Sequence, residues 1–296
     1  MYNSKSQYDV IIVGAGLVGL ALATMLRSAG VSVSVIDKSN ESFLQQADSD
    51  SRPISLNYAS LQVLKTLGID WGENGLHLQS LHVSLQSSFG SFMLTPEELK
   101  VPYLGCVLPY GRLINSLYER AKVLGVSFYF ECSIDKMSTD DRGVTVDFSS
   151  SGVRDSLHAS LLLAADGKQS FCRRYFNMSV DIKANEYQSS IFHLNLAGSH
   201  QQRAYQRFTK QGTMAVIPLY EDQEVRLVFT HSVDEETPTD ISAWADLFNQ
   251  VYDGYLPLIT EVTRAGSFPL SHYHITNPVH ERCLLMGAAA YSFYPV

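Results

Sequence analysis

The stretch Tyr8-Asp9-Val10-Ile11-Ile12-Val13-Gly14-Ala15-Gly16-Leu17-Val18-Gly19 decides the fold of this 296-residue chain. Its apolar, β-branched first half is typical of a strand that is buried on both faces. Apolar side chains then recur at helical spacing over Leu17–Ala29, and Gly30 ends the predicted helix. A second predicted strand, Val31–Ile36, leads into Asp37. The sequence therefore predicts a β-α-β unit of about 30 residues, the size that dinucleotide binding requires.

The glycines and the acid of this unit match the chemistry of a nucleotide diphosphate. Gly14 permits a sharp turn from strand to helix, Gly16 leaves room for a pyrophosphate, and Gly19 permits close packing of the helix on the strand. The helix N-terminus offers N–H groups and partial positive charge to the phosphates. Asp37 lies 18 residues beyond Gly19, where an acid accepts hydrogen bonds from ribose hydroxyls. FAD and NAD share this fingerprint, so the unit alone does not decide between them.

Composition excludes several other classes of protein. The chain is 45% hydrophobic and 18% charged, as is usual for a globular protein of one large domain or two smaller ones. Its net charge of −8, from 22 basic and 30 acidic side chains, argues against a nucleic-acid partner. Four dispersed cysteines predict neither a disulfide framework nor a metal cluster, and they favour the reducing cytoplasm: Cys106, Cys132, Cys172 and Cys283.

One uncharged run, Val10–Leu26, is 17 residues long and just under the length of a membrane span. The glycine-rich turn explains this run better than a transmembrane helix or a signal peptide does. We therefore expect neither a membrane span nor secretion.

Hydrophobic periodicity predicts further elements along the chain. The predicted helices are Tyr58–Leu67, Leu113–Leu124 and Ile241–Tyr252, and Arg52–Leu56 leads into the first of them. The predicted strands are Leu81–Leu94, Val126–Phe130, Val144–Phe148, Leu161–Ala165 and Cys283–Met286. A polar hairpin is expected at residues 140–143 between the second and third of these strands, and a loop at residues 40–51. Alternating runs between about Tyr187 and Phe268 predict a mixed β-sheet.

Three stretches together resemble the FAD-dependent aromatic hydroxylases of the p-hydroxybenzoate hydroxylase type. They are the N-terminal β-α-β unit, the ADGKQSFCR sequence of Ala165–Arg173, and the late strand that ends at Gly287. Within that group, Ser51–Leu56 and Leu67–Trp71 resemble the ubiquinone-biosynthesis 2-polyprenylphenol hydroxylases. Residues Gly111–Ala121 are similar to the second flavin-contacting helix of the family.

The resemblance implies an α/β fold, in which a Rossmann-like FAD-binding domain carries an inserted mixed β-sheet substrate domain. The FAD-binding domain would comprise residues 1–75, 106–180 and a truncated third part at 271–296. Residues 76–105 would supply strands to the substrate domain, and residues 181–270 its β-sheet.

The resemblance also implies roles for individual residues. Arg52 would reach the flavin and its phosphates, and Asp166 would lie near the pyrophosphate and the path of NAD(P)H. Arg173 would brace that turn, and Tyr110 occupies a position where relatives often carry Arg or Gln near the flavin. An alternative for Asp166-Gly167 is a type I′ hairpin turn. The implied FAD-binding residues are Gly14, Gly16, Gly19, Asp37, Arg52, Tyr110, Asp166 and Gly167.

The reaction implied by the resemblance is the hydroxylation of a polyprenylated phenol in ubiquinone biosynthesis. NAD(P)H would reduce FAD, O₂ would add to it as a hydroperoxide, and one oxygen would pass to the phenol ring. The sequence identifies no catalytic base, since His193, His231, His272 and His274 each have a structural interpretation. The implied partners are a lipophilic phenol and other ubiquinone-pathway proteins, with peripheral contact to the inner membrane.

Near its end the sequence departs from the family pattern. Ala288 stands where the family has an aspartate that holds the ribityl chain, and Tyr291 where a histidine is frequent. The glycine-rich turn that follows in the family is not found before Val296, so we expect the C-terminal family segment to be missing. Two hypotheses stay open: a hydroxylase, or an impaired remnant that serves as a non-enzymatic assembly subunit. An NAD-dependent dehydrogenase is a third, based on the N-terminal fingerprint alone.

Overall fold

The chain is described by a computed structural model over residues 6–46, 50–71, 74–88, 90–183 and 186–293. Within these ranges the helices are α1 (Leu17–Ser28), α2 (Ser42–Gln45), α3 (Tyr58–Thr66), α4 (Pro96–Leu99), α5 (Tyr110–Val123), α6 (Phe171–Tyr175) and α7 (Ile241–Val251). The strands of the first half are β1 (Ser6–Val13), β2 (Val33–Ile36), β3 (Pro53–Asn57), β4 (Leu76–Leu78), β5 (Ser80–Leu85), β6 (Ser91–Leu94), β7 (Gly105–Pro109), β8 (Ser127–Tyr129), β9 (Cys132–Asp140) and β10 (Gly143–Ser150). Those of the second half are β11 (Val153–Ala164), β12 (Asp181–Lys183), β13 (Tyr187–Leu196), β14 (Arg203–Phe208), β15 (Gly212–Pro218), β16 (Glu224–Ser232), β17 (Ile259–Pro269), β18 (His272–His274), β19 (Val279–His280), β20 (Cys283–Leu285) and β21 (Tyr291–Ser292).

The predicted β-α-β unit forms the centre of an eight-stranded sheet. Its main path is β19-β20-β11-β1-β2-β8, and β9 and β10 extend it antiparallel from β11. β1 runs parallel to both β2 and β11. Ile11 and Ile12 point to opposite faces and are both fully buried, each in a different hydrophobic cluster. The prediction of a strand buried on both faces is therefore confirmed.

Two glycines make the close contacts that this unit requires. Gly14 has a φ of +108°, and a Cβ there would lie 2.5 Å from the carbonyl oxygen of Ala165, just after β11. A Cβ on Gly19 would lie 1.9 Å from the carbonyl oxygen of Gly14. The first turn of α1 thus packs directly against the backbone of the β1–α1 turn. That turn itself packs against the backbone at the end of β11.

A second, seven-stranded sheet has the order β17-β13-β16-β15-β14-β5-β6. One of its faces is covered by α7, where Trp244 and Phe248 pack on Phe192. Its β5 and β6 come from early in the chain, and β5 pairs in parallel with β14. A small sheet, β3-β7-β4, lies against the opposite face of the seven-stranded sheet and contributes Val107 to a shared cluster with Ala204.

The structure corrects several predictions of local structure. Residues 53–57 form strand β3, which pairs with β7, rather than the start of a helix. The hairpin at residues 140–143 is present, but it joins β10 to β9, a strand that the sequence analysis missed. β8 instead runs parallel beside β2. Asp166-Gly167 is not a hairpin turn, because it lies in the segment that connects the end of β11 at Ala164 to the start of α6 at Phe171.

The loop predicted at residues 40–51 contains the single turn α2, and residues 47–49 lie outside the described ranges. Over the described ranges, no helix has the length and apolar character needed to cross a membrane, and the run Val10–Leu26 is divided between β1 and α1. The predicted α/β class is confirmed. The domain boundaries stay predictions.

The close approach at Gly19 generates a stability prediction. Replacing Gly19 with Ala forces the new Cβ against the backbone oxygen of Gly14, which cannot rotate away. We expect the free energy of unfolding to fall by about 1–3 kcal/mol, the usual cost of overpacking. Urea denaturation without added nucleotide measures this difference.

Gly90→Ala is the matched control, because a Cβ at Gly90 meets no atom within 4 Å. This control should unfold at the urea concentration of the unmodified chain. Equal midpoints for Gly19→Ala and Gly90→Ala would contradict the proposed packing of α1 on the turn.

Candidate cofactor-binding cleft

A cleft of about 490 Å³ opens at the carboxyl ends of β1, β2 and β11. In open α/β sheets this edge is the usual place for a ligand. The cleft brings together six of the eight predicted site residues, which are Gly14, Gly16, Asp37, Tyr110, Asp166 and Gly167. Gly19 and Arg52 lie outside its lining. Residues from four separate segments of the chain thus meet around one space.

The glycine turn leaves the start of α1 open to this cleft. Gly16 is the N-cap of α1 in extended conformation, with φ −79° and ψ 179°, and among the described residues no side chain caps it. A Cβ on Gly16 would meet no atom within 4 Å. The N–H groups of the first turn and the helix dipole of this 12-residue helix therefore face a space suited to an anion.

Asp37, at the end of β2, is held in place by the backbone. Its Oδ2 accepts a hydrogen bond from the N–H of Ala15 at 2.6 Å, and its Oδ1 accepts one from the N–H of Ser39 at 2.7 Å. Each carboxylate oxygen can accept a second hydrogen bond. The side chain is half-buried in the cleft wall, so a ligand hydroxyl can still approach it.

Asp166, just beyond the end of β11, has one satisfied and one unsatisfied oxygen. Oδ2 accepts a hydrogen bond from the N–H of Cys172 at 3.0 Å, whereas Oδ1 is buried with no partner among the described residues. A buried carboxylate oxygen without a donor is unfavourable, so this atom fits a hydroxyl donated by a ligand. Burial first, and the charge of Asp166 second, raise the pKa of the Cys283 thiol to about 12.

Arg173 fixes the turn that carries Asp166. Its Nη2 donates to the carbonyl of Lys168 at 2.7 Å, and its Nη1 donates to the carbonyl of Ala289 at 2.9 Å. Its guanidinium also lies 5.1 Å from the ring centroid of Tyr273. The predicted bracing role of Arg173 is confirmed, and it reaches further than expected, to the segment that follows β20.

Arg52 approaches the cleft only through Tyr110. Its guanidinium lies 4.9 Å from the centroid of the Tyr110 ring. Tyr110 is the first residue of α5, and it lines the cleft. Its Nε donates to Oδ1 of Asp50 at 2.8 Å, and its side chain is 70% exposed. That hydrogen bond lowers the pKa of the Asp50 carboxyl. The contact of Arg52 with a flavin stays a prediction, and in the structure its guanidinium is bound to Asp50.

One wall of the cleft consists of residues that were not predicted from the sequence. This wall combines aromatic and aliphatic side chains with two cations, and comprises Lys38, Phe43, Phe130, Cys132, Ile134 and Arg174. Three of these residues, Phe130, Cys132 and Ile134, follow β8 or lie at the start of β9, whose neighbours in the sheet were not predictable from local pattern. Because β8 runs parallel beside β2, the residues after β8 lie next to Asp37 in the structure.

Together these features fit a nucleotide that carries a diphosphate and several hydroxyls. The space beside Gly16 and the α1 N-terminus suits the diphosphate. The half-engaged oxygens of Asp37 and the unpaired Oδ1 of Asp166 suit hydroxyl groups.

Comparisons with known proteins agree with this description. The family described as FAD binding domain matches residues 7–296. The ubiquinone hydroxylase UbiM of Neisseria meningitidis is 27% identical over 312 residues, covering 100% of this chain and 66% of that protein. The 3-demethoxyubiquinol 3-hydroxylase of Escherichia coli is 24% identical, covering 97% of this chain and 74% of that protein. This chain thus spans about two thirds to three quarters of the length of these relatives.

A solved structure, p-nitrophenol 4-monooxygenase PnpA from Pseudomonas putida DLL-E4, has a similar fold. Its TM-score is 0.75 at 17% sequence identity, and the match covers 99% of this chain and 75% of that one. At this identity the likeness concerns the fold alone.

The open space at Gly16 generates a binding prediction. Gly16→Ala should fold, since its Cβ meets no atom within 4 Å, but the methyl group would occupy the position expected for the diphosphate. We expect the dissociation constant for FAD to rise about tenfold or more, which corresponds to about 1.4 kcal/mol. Fluorescence titration of FAD with the protein measures it.

Gly90→Ala again serves as the control, because it adds the same methyl group at a position outside the cleft lining. Urea denaturation of Gly16→Ala separates weaker binding from poorer folding. Unchanged FAD affinity in a folded Gly16→Ala protein would contradict the assignment of the diphosphate to this turn.

Proposed function

This chain belongs to the FAD binding domain family, and on that premise we propose that it hydroxylates a polyprenylated phenol of ubiquinone biosynthesis, using NAD(P)H and O₂. Its cofactor is FAD, and its class is that of the FAD-dependent monooxygenases. The resemblance to FAD-dependent aromatic hydroxylases that the sequence predicted is confirmed. The dehydrogenase hypothesis, which used only the N-terminal fingerprint, is set aside.

One observation carries the proposal. The cleft gathers at one sheet edge the glycine turn, Asp37 and the Asp166-Gly167 turn, which are the three features that the resemblance assigned to FAD. Bound FAD, once reduced by NAD(P)H, supplies the chemistry that activates O₂. The chain itself would bind the diphosphate at Gly16 and the N-terminus of α1. Asp37 and Asp166 would accept hydrogen bonds from hydroxyl groups of the cofactor.

The substrate class follows from the relatives. Two of them are named as a ubiquinone hydroxylase and a 3-demethoxyubiquinol 3-hydroxylase, and both match nearly the whole of this chain. By this likeness the substrate is a phenol with a lipophilic tail.

A lipophilic substrate also suggests where the protein works. We place it in the cytoplasm at the periphery of the inner membrane, near other proteins of the pathway. Large apolar side chains near one end of the seven-stranded sheet support contact with a lipid surface, since Leu85 is 52% and Phe92 55% exposed.

The proposal predicts three linked measurements on the purified chain. After incubation with FAD and removal of the excess, the protein should keep a flavin absorbance spectrum. NAD(P)H should then be oxidised with uptake of O₂, and a 2-polyprenylphenol should gain one oxygen atom that derives from ¹⁸O₂, as mass spectrometry can detect.

The Gly16→Ala variant is the control and should lose the flavin spectrum and the product together. Stable flavin binding without O₂ uptake or product would contradict the hydroxylase function. That result would favour the open alternative of a non-enzymatic assembly subunit.

A further inference from the structure

We propose that the guanidinium of Arg226, on β16, binds the oxygen of the phenol substrate and holds it as the phenolate. This inference rests on the proposed function and adds a residue that recognises the substrate. Neither the sequence pattern nor the resemblance assigned a role to Arg226.

The pairing of the strands places Arg226 on the face of the seven-stranded sheet opposite to α7. Its neighbours in register are Ile217 on β15 and His193 on β13. On the same face, Ile217 and Ala204 belong to the cluster that includes Val107 of the small sheet. Val225 and Leu227, which flank Arg226 along β16, are fully buried beneath α7. Arg226 therefore faces the side on which the small sheet lies.

The small sheet connects this face to the cofactor cleft. β7 carries Val107 and ends at Pro109, and the next residue, Tyr110, lines the cleft. Ser55 of β3 pairs with Val107 but is exposed, although Val107 is fully buried. The contact between the two sheets thus covers Val107 and leaves the face of β3 at Ser55 open to solvent, and we place the substrate at this open side.

Arg226 has the features of a cation that lacks its anion. It is half-buried, its Nε is buried without a hydrogen-bond partner, and no carboxylate of the described residues forms an ion pair with it. Burial lowers the pKa of its guanidinium. A partly desolvated cation of this kind is stabilised when an anion binds next to it.

The neighbouring acidic groups already have other partners. Oε2 of Glu224, two residues earlier on β16, lies 3.3 Å from Nε2 of His193. Glu261, on β17, accepts a hydrogen bond from Nδ2 of Asn195 at 2.8 Å. Among these charged groups, Arg226 is the one with a buried N–H that has no partner in the described residues.

The chemistry of the proposed reaction explains why a cation belongs here. Ionisation of the phenol raises the electron density of the ring, which favours attack on an electron-poor oxygen donor. A nearby positive charge and a hydrogen bond to the ionised oxygen both stabilise the phenolate. Arg226 can provide both, because arginine stays charged and carries several N–H donors.

The test uses 4-nitrophenol as a probe, because its ionised form absorbs visible light. The probe is titrated with pH in the presence of the FAD-loaded protein, and its ionisation constant is compared between the bound and free states. We expect binding to the unmodified protein to raise this constant about tenfold or more. In Arg226→Met that increase should disappear, whereas Arg226→Lys should keep part of it.

Arg264→Met is the matched control, since it removes the same charge from an exposed position on β17. It should behave as the unmodified protein does. If Arg226→Met fails to fold by circular dichroism, Arg226→Gln replaces it, with the same expected loss.

Three results would overturn the assignment of Arg226. They are failure of the unmodified protein to bind the probe, an unchanged ionisation constant on binding, and equal constants in the unmodified and Arg226→Met proteins. Each is read with unmodified protein that shows its flavin spectrum, NAD(P)H oxidation and product, and with variants that retain the flavin spectrum. The loss of those signals in the unmodified protein would instead contradict the proposed function.

Discussion

The structure depends on a backbone contact between the turn after β1 and the end of β11. The N–H of Gly14 donates to the carbonyl of Ile36, and the N–H of Ala165 donates to the carbonyl of Val13. These two hydrogen bonds align the ends of β2, β1 and β11 at one edge of the sheet. Because any side chain at Gly14 would meet the carbonyl of Ala165, only glycine allows this alignment. The cleft exists because three strand ends coincide there.

The same contact sets the electrostatics of the cleft. Two carboxylates, Asp37 after β2 and Asp166 after β11, lie on either side of the end of β1, beside the positive end of α1. Backbone N–H groups hold both oxygens of Asp37, whereas Asp166 has one oxygen without a partner among the described residues. Asp37 is therefore held in place before a ligand binds, whereas Asp166 lacks one hydrogen bond. This is expected where a bound ligand supplies the missing hydrogen bond.

Local pattern predicted the β1-α1-β2 unit and Asp37, because strand, turn and helix are contiguous in sequence there. It failed where the structure depends on distant partners. The apolar spacing of residues 53–57 suits a helix or a strand, and pairing with β7 decides for the strand. The wall at Phe130 depends on β8 lying beside β2, which no local signal contains. Asp166 was identified through the resemblance to a known family. Arg226 is one charged residue in a strand of alternating pattern, and its role depends on its neighbours across the sheet, which the sequence does not reveal.

The parallel pairing of β5 with β14 has a consequence for how the chain is made. Ser80 and Arg203, 123 residues apart, lie side by side in this pair. On the ribosome, β5 and β6 therefore emerge long before the strand that completes their sheet. Such non-local pairing slows folding and leaves a strand edge open to wrong partners in the interval. The topology of this protein thus keeps one edge of the β5–β6 hairpin unpaired until β14 has been synthesised.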